Sequence, residues 1–165
     1  MKIVHLSTHD IQGGAARAAF RLHQGLCSLG QDSNMFVSGR TSDDPKVIGY
    51  KPPMNTMLRI QRRFRREGIN RRLDKYQKTI VNVYDGFCED RSQHRQELID
   101  QIPGHDILHL HAVNGFLDYT SFFTSQLAHS PLIWTMHDMN PFTGGCYYDQ
   151  GCGRFQGQCG RCPVL

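Results

Sequence analysis

The sequence predicts an α/β protein built on a doubly wound, Rossmann-like parallel sheet. Three observations lead there. The chain opens as strand, Gly-Gly turn, helix, strand, which is the order of a βαβ unit. A second strand–helix–strand alternation runs from Asp106 to Trp134. No internal repeat or low-complexity linker separates the two, so the 165 residues read as one domain, 1–165, with its own core.

The elements follow in order. Lys2–Leu6 is a short buried strand, and Ser7–Gly14 a loop. Ala15–Leu29 carries Ala16, Ala19, Phe20, Leu22, Leu26 and Leu29 at helical spacing, with Gly30 placed to end the helix. Ser33–Val37 is the second strand. From Ser38 to Pro53, Gly39, Pro45, Gly49, Pro52 and Pro53 leave little room for regular structure. Met57–Gly68 is a helix with Met57, Ile60 and Phe64 on one face and Arg59, Arg62, Arg63, Arg65 and Arg66 around the rest. Thr79–Tyr84 is a strand candidate. Asp90 and Gln93 give an N-terminal helix signature, and that helix should run to Ile102, before Pro103. Asp106–His111 is a strand, Tyr119–Ala128 a helix, and the run from Leu132 a strand that delivers His137 and Asp138.

Composition narrows the class. A hydrophobic content of 39% with 10% aromatics fits a soluble globular chain, and a net charge of +4 excludes little by itself. No apolar run approaches a membrane span, and His5, His9 and Asp10 interrupt any secretory h-region. The expected location is the cytosol, where six cysteines are more often thiols or metal ligands than disulfides.

In open α/β sheets ligands bind outside the carboxyl ends of the strands. Three predicted strands end in polar chemistry: Gly13-Gly14, His111 with Asn114, and His137-Asp138. Gly13 and Gly14 lead into a helix whose first turn holds Arg17, a natural anion site or simply a tight turn. There is no G-x-G-x-x-G and no acidic residue after the second strand, which argues against a nicotinamide dehydrogenase. His109 and His111 share a strand face; His109, in mid-strand, reads as a core histidine and His111 as the ligand-binding one. His137 is the candidate catalytic residue, able to donate to a sugar hydroxyl or to move a proton; the plainer reading makes it a loop brace, with Asp138 as a turn cap.

The arginine-rich helix suits an anionic membrane surface, or it is only a solvated helix; without aromatic, base-reading neighbours nucleic acid is not expected as a partner. Cys146, Cys152, Cys159 and Cys162, spaced C-x5-C-x6-C-x2-C among glycines, form a knot over residues 145–163. Structural zinc fits four thiolates, with an iron–sulfur cluster or two disulfides as alternatives. Cys27 and Cys88 read as ordinary thiols.

Lys2-Ile-Val-His-Leu, Gly13-Gly14-Ala-Ala-Arg17, Asp106-Ile-Leu-His-Leu-His111 with Val113-Asn-Gly-Phe-Leu-Asp118, and Trp134-Thr-Met-His-Asp-Met-Asn-Pro-Phe-Thr-Gly-Gly-Cys146 together resemble bacterial glycosyltransferase family 4 enzymes of the capsule, colanic-acid and O-antigen type. The resemblance covers essentially the whole chain; the arginine-rich middle is its least family-like part. It implies the amino-terminal, acceptor-side half of a GT-B fold. Such an enzyme is a retaining transferase that moves sugar from a nucleotide-sugar to a saccharide or lipid-linked acceptor at the inner face of the plasma membrane. It further implies that Gly13 and Gly14 approach the donor diphosphate or acceptor, and that His137 touches the transferred sugar. The nucleotide-sugar domain and its glutamates have no counterpart before Leu165, so the domain reads as incomplete and the isolated chain as inactive. A different class of function, a zinc-knotted α/β module docking on a membrane or protein partner, is the alternative.

Overall fold

The computed structural model describes residues 1–77, 86–149 and 151–159. Strands β1 (Lys2–His9), β2 (Asp32–Gly39), β3 (Val47–Gly49), β4 (Ile107–Leu110) and β5 (Leu132–Trp134) form one five-stranded sheet in the order β3-β2-β1-β4-β5, every pairing parallel. The predicted α/β, Rossmann-like class is what is found. The chain winds outward from β1 through β2 to β3, then returns to add β4 and β5 on the other side. The strand order therefore reverses between β1 and β4, which is where open sheets of this kind leave a crevice for ligands.

Side-chain alternation divides the core in two. Val4, Leu6, Phe36, Leu108 and Leu110 face one layer, where they pack with Leu98 and Ile99 of α3 (Gln96–Ile99) and Phe122 of α4 (Tyr119–Phe123). Met35, Val37 and Val47 face the other, under Ala19 of α1 (Gly14–Ser28). The buried face of α1 is Ala16, Ala19 and His23, while Leu22 and Leu29 are exposed. His23 thus replaces the leucines expected there, held by Ser33 Oγ at 2.8 Å from Nδ1. Gly30, at φ 74°, ends α1 as predicted, its amide donating to Cys27 O and that of Gln31 to Leu26 O.

Several elements differ from expectation. β1 runs three residues past Leu6, so the loop before α1 is shorter than the sequence suggests. β3 was not expected; Val47 is buried at a sheet edge, and a three-residue strand leaves no periodic signal. The helix begun at Asp90 does not form. Instead Ser92 is drawn away, its amide donating to Asp118 Oδ2 and its hydroxyl to Gly115 O, and only Gln96–Ile99 turns as a helix. The Tyr119 helix is capped by Asp118 and stops at Phe123, where Thr124 and Ser125 hydroxyls donate back to the carbonyls of Thr120 and Phe122; a 3-10 turn, Gln126–His129, replaces its last part. The Thr79–Tyr84 strand candidate lies outside the described residues.

The arginine-rich helix, α2, extends over Thr56–Gln77. Its partly buried face is Leu58, Arg62, Arg65, Ile69 and Leu73. Met57, Ile60 and Phe64 lie on the opposite side at 68%, 51% and 68% exposure, so the apolar stripe seen in the sequence faces outward. Helix α5 (Asn140–Thr143) and a 3-10 turn, Arg154–Gln156, complete the described elements.

Candidate functional site

The three polar strand ends predicted from sequence belong to β1, β4 and β5, which are consecutive in the sheet. Thr8, near the end of β1, reaches across the switch point: its amide donates to Ala112 O at 2.7 Å and its hydroxyl to Asn114 O at 3.2 Å. Beyond β1, Gly13 adopts φ 89°, a conformation that favours glycine, and its carbonyl receives the amide of Arg17. Arg17 itself folds back, Nε donating to Ile11 O, and so braces the turn at the helix start.

Asp10, which sequence reasoning noted only as a break in an apolar run, closes this corner. It is fully buried and accepts from the amides of Ile11, Thr41 and Ser42 at 2.7–3.1 Å. Burial works to raise its pKa, but the Ser42, Thr41 and Ile11 amides outweigh that and hold the carboxyl at about 2.

A line of imidazoles occupies the α1 side of the sheet. His5 Nδ1 and His111 Nε2 are 3.0 Å apart, and His111 Nδ1 and His137 Nε2 3.2 Å. His5 is fully buried and His111 is 3% exposed. Burial first, then the neighbouring rings, hold His5 down to about 3 and His111 to about 2, so both are neutral near pH 7. A neutral imidazole has one N–H and one lone pair. His111 engages both nitrogens, so it must donate to one neighbour and accept from the other. The chain His5–His111–His137 is therefore head-to-tail, and His137, half-buried three residues beyond β5, is its outer end. The His111 predicted to bind ligand is buried and has both nitrogens engaged, by His5 and by His137.

His109 is the core histidine expected, its Nε2 2.7 Å from Thr135 Oγ1 and its ring stacked on His111 at 4.2 Å. One nitrogen each from His5, His109 and His111 lies within 4.8 Å of the others. The facing nitrogens of His5 and His111 already bond each other, and the trio includes no anionic donor to offset a buried dication.

Behind His137 the loop is stitched down. Asp138 Oδ1 accepts the Asn140 amide, the turn-capping role foreseen as its plainer reading. Tyr119 donates towards Asn114 Oδ1 at 3.1 Å and Asn140 Oδ1 at 3.2 Å, while Asn140 Nδ2 donates to Cys88 O and Gly145 O. Trp134 Nε1 holds His111 O. Burial, followed by the Cys88, Asp138, Tyr147 and Asp90 groups, pushes the Tyr119 phenol well above its usual range. Tyr119 and Asn140 were missed from sequence; a tyrosine at a helix start and an asparagine before a proline carry no spacing signal of their own.

The cysteine loop begins antiparallel to the preceding segment, with a Phe87–Cys146 bridge and Cys88 N donating to Gly145 O. Among the described residues Cys146, Cys152 and Cys159 are not gathered as three ligands for one ion; Cys159 Sγ lies 3.2 Å from Thr143 O, and Cys162 lies outside the described residues. Among the described residues, too, no helix is long and apolar enough to cross a membrane.

No family model matches the chain. No solved structure matches it significantly. The protein described as the colanic acid biosynthesis glycosyl transferase WcaC, from Escherichia coli (strain K12), is 28% identical over 182 aligned residues that cover 100% of this chain. The chain spans only 40% of that relative's length. Over its whole length, then, the chain is similar to part of a bacterial glycosyltransferase, as its motifs predict.

Proposed function

We propose that the chain forms the acceptor-side wall of a retaining, GT-B, family 4 glycosyltransferase. It would move sugar from a nucleotide-sugar to a growing polysaccharide or lipid-linked acceptor at the cytoplasmic face of the plasma membrane. The observation that carries this reading is His137 at the outer end of an imidazole chain, on the crest where β1, β4 and β5 end side by side. Amides at the start of α1 offer partial positive charge to a diphosphate, and Gly13 and Gly14 allow its close approach, with nothing within 4 Å of an added Cβ at either.

The chain's sense decides what His137 can do. Donation inward would leave a bare N–H on His5 Nε2, which is buried and has no partner; donation outward leaves only a lone pair there. A bare N–H is the costlier orphan. His137 then accepts at Nε2 and carries its proton on Nδ1, ready to donate to a hydroxyl of the transferred sugar. His137→Asn in the full-length enzyme should lower kcat/KM by about 10- to 100-fold, the worth of one hydrogen bond aimed at the reacting sugar. Transfer at the wild-type rate would reject the assignment. The 165-residue chain alone is expected to show no transfer, because the relative it resembles extends well beyond the part it spans.

Two parts of this reading have their own support. Met57, Ile60 and Phe64 stand exposed beside Arg59, Arg63 and Arg66, which fits a peripheral contact of the Arg59–Arg72 stretch with anionic lipid. Vesicle binding indifferent to anionic lipid would remove that contact. The cysteine composition supports structural zinc on Cys146, Cys152, Cys159 and Cys162, and elemental analysis of protein purified without added zinc tests it.

A further inference from the structure

Beside α2 lies an open pocket of about 630 Å³, lined by Arg59, Arg62, Arg63, Arg66, His94 and Ile60 among others, and by no carboxylate. Its inner arginine is unusual. Arg62 is 8% exposed; one terminal nitrogen, Nη2, donates to Pro53 O, while Nη1 is buried and has no partner. Among the described residues no carboxylate pairs with Arg62: Glu67 is 2.9 Å from Arg63, and Glu97 faces Arg65 at 3.8 Å. A buried guanidinium without a counter-ion is costly to keep, and an anion is what would offset it.

We propose that this pocket is a binding site for a phosphoryl anion, most specifically the diphosphate of an organic ester, with Arg62 as its inner anchor and Arg59 and Arg66 closing over the outer oxygens. Guanidinium forks match phosphoryl oxygens in geometry and hold their charge at any physiological pH. Several cations around one cavity suit a multiply charged group better than a single carboxylate. Pro52, Met54 and Ile60 line the same pocket and offer an apolar wall for the ester's organic part. His94, fixed between Tyr50 at 3.2 Å and Gln93 at 3.1 Å, completes the rim. The site does not depend on the transferase reading; it shares Ile60 with the outward stripe of α2, while Met57 and Phe64 do not line it.

Isothermal titration with inorganic pyrophosphate tests it, together with binding to phosphatidylglycerol and phosphatidylcholine vesicles. Saturable one-to-one pyrophosphate binding is expected, weakened about tenfold or more by Arg62→Met, as the loss of a charged hydrogen-bond partner implies. Arg59→Gln and Arg66→Gln, both at exposed positions, should each weaken it severalfold and serve if Arg62→Met fails to fold. Displacement of the protein from phosphatidylglycerol vesicles by pyrophosphate assigns a lipid source; pyrophosphate binding without vesicle binding assigns a soluble one. Phosphatidylglycerol binding that requires Arg62 but is not matched by pyrophosphate also supports the site, with a headgroup as ligand. The proposal is overturned if neither ligand binds in a way that these arginine variants weaken.

Discussion

Single side chains at the strand ends hold the fold together, and Asp10 shows this most clearly. Its carboxylate gathers three amides that join the β1–α1 corner to the loop after β2. Its pKa falls from 3.8 to about 2, so its contribution is complete above pH 3.8 and is lost as the pH falls towards 2; the difference is worth about 2 kcal/mol. Asp10→Ala should therefore destabilise the chain by about 2–3 kcal/mol in urea titration at pH 7, since three amides lose their charged acceptor. Tyr119→Phe keeps the ring and removes only the hydroxyl that ties Asn114 to Asn140. A loss of about 1 kcal/mol is expected, read by the same titration. The position of His137 just past a strand end was legible from sequence because an apolar run precedes it. Asp10 was not, because its partners at Thr41 and Ser42 lie thirty-odd residues away and nothing local announces them.

Among the elements, those with long apolar runs were placed well and the short ones were not. β1, β2 and α1 carry enough periodic residues to outweigh local noise, and they appear where expected apart from ends that differ by one to three residues. The region after Asp90 has a helix signature, but Ser92 and His94 are held by tertiary partners at Gly115, Asp118 and Tyr50, and those contacts prevail. α2 was recognised as a helix but stopped too early at Gly68, which proves to lie inside it. That glycine has an ordinary helical φ, is exposed, and leaves open space for a side chain. Gly68→Ala should stabilise α2 by about 0.5–1 kcal/mol, visible as increased helical signal in circular dichroism. An unchanged or weaker signal would mean that the backbone there is not helical in solution.

For the molecule as a whole, buried histidines set the response to acid. His5, His94 and His111 are held at about 3, about 4 and about 2, burial being the main cause in each, against an ordinary value of 6.5. Below pH 6.5 the unfolded chain binds these protons and the folded chain does not, so stability is full above that pH and declines as it falls. The slope approaches about 1.4 kcal/mol per pH unit for each histidine, or about 4 for the three. A domain with an ordinary stability of about 5–15 kcal/mol should thus unfold cooperatively as the pH drops towards about 4. A near-UV spectrum unchanged at about pH 3 would contradict this.

The taper of the sheet has a consequence for how copies of the chain meet. Its inner strand β1 is eight residues long, but the two edges, β3 and β5, are three residues each. Among the described residues, a second molecule trying to extend the sheet would find only a few backbone groups on either side. Such stub edges are how soluble sheets resist growing into one another. Any self-association of this chain should therefore run through side chains, such as the outward stripe of α2, and disperse in mild detergent, rather than through shared β-structure.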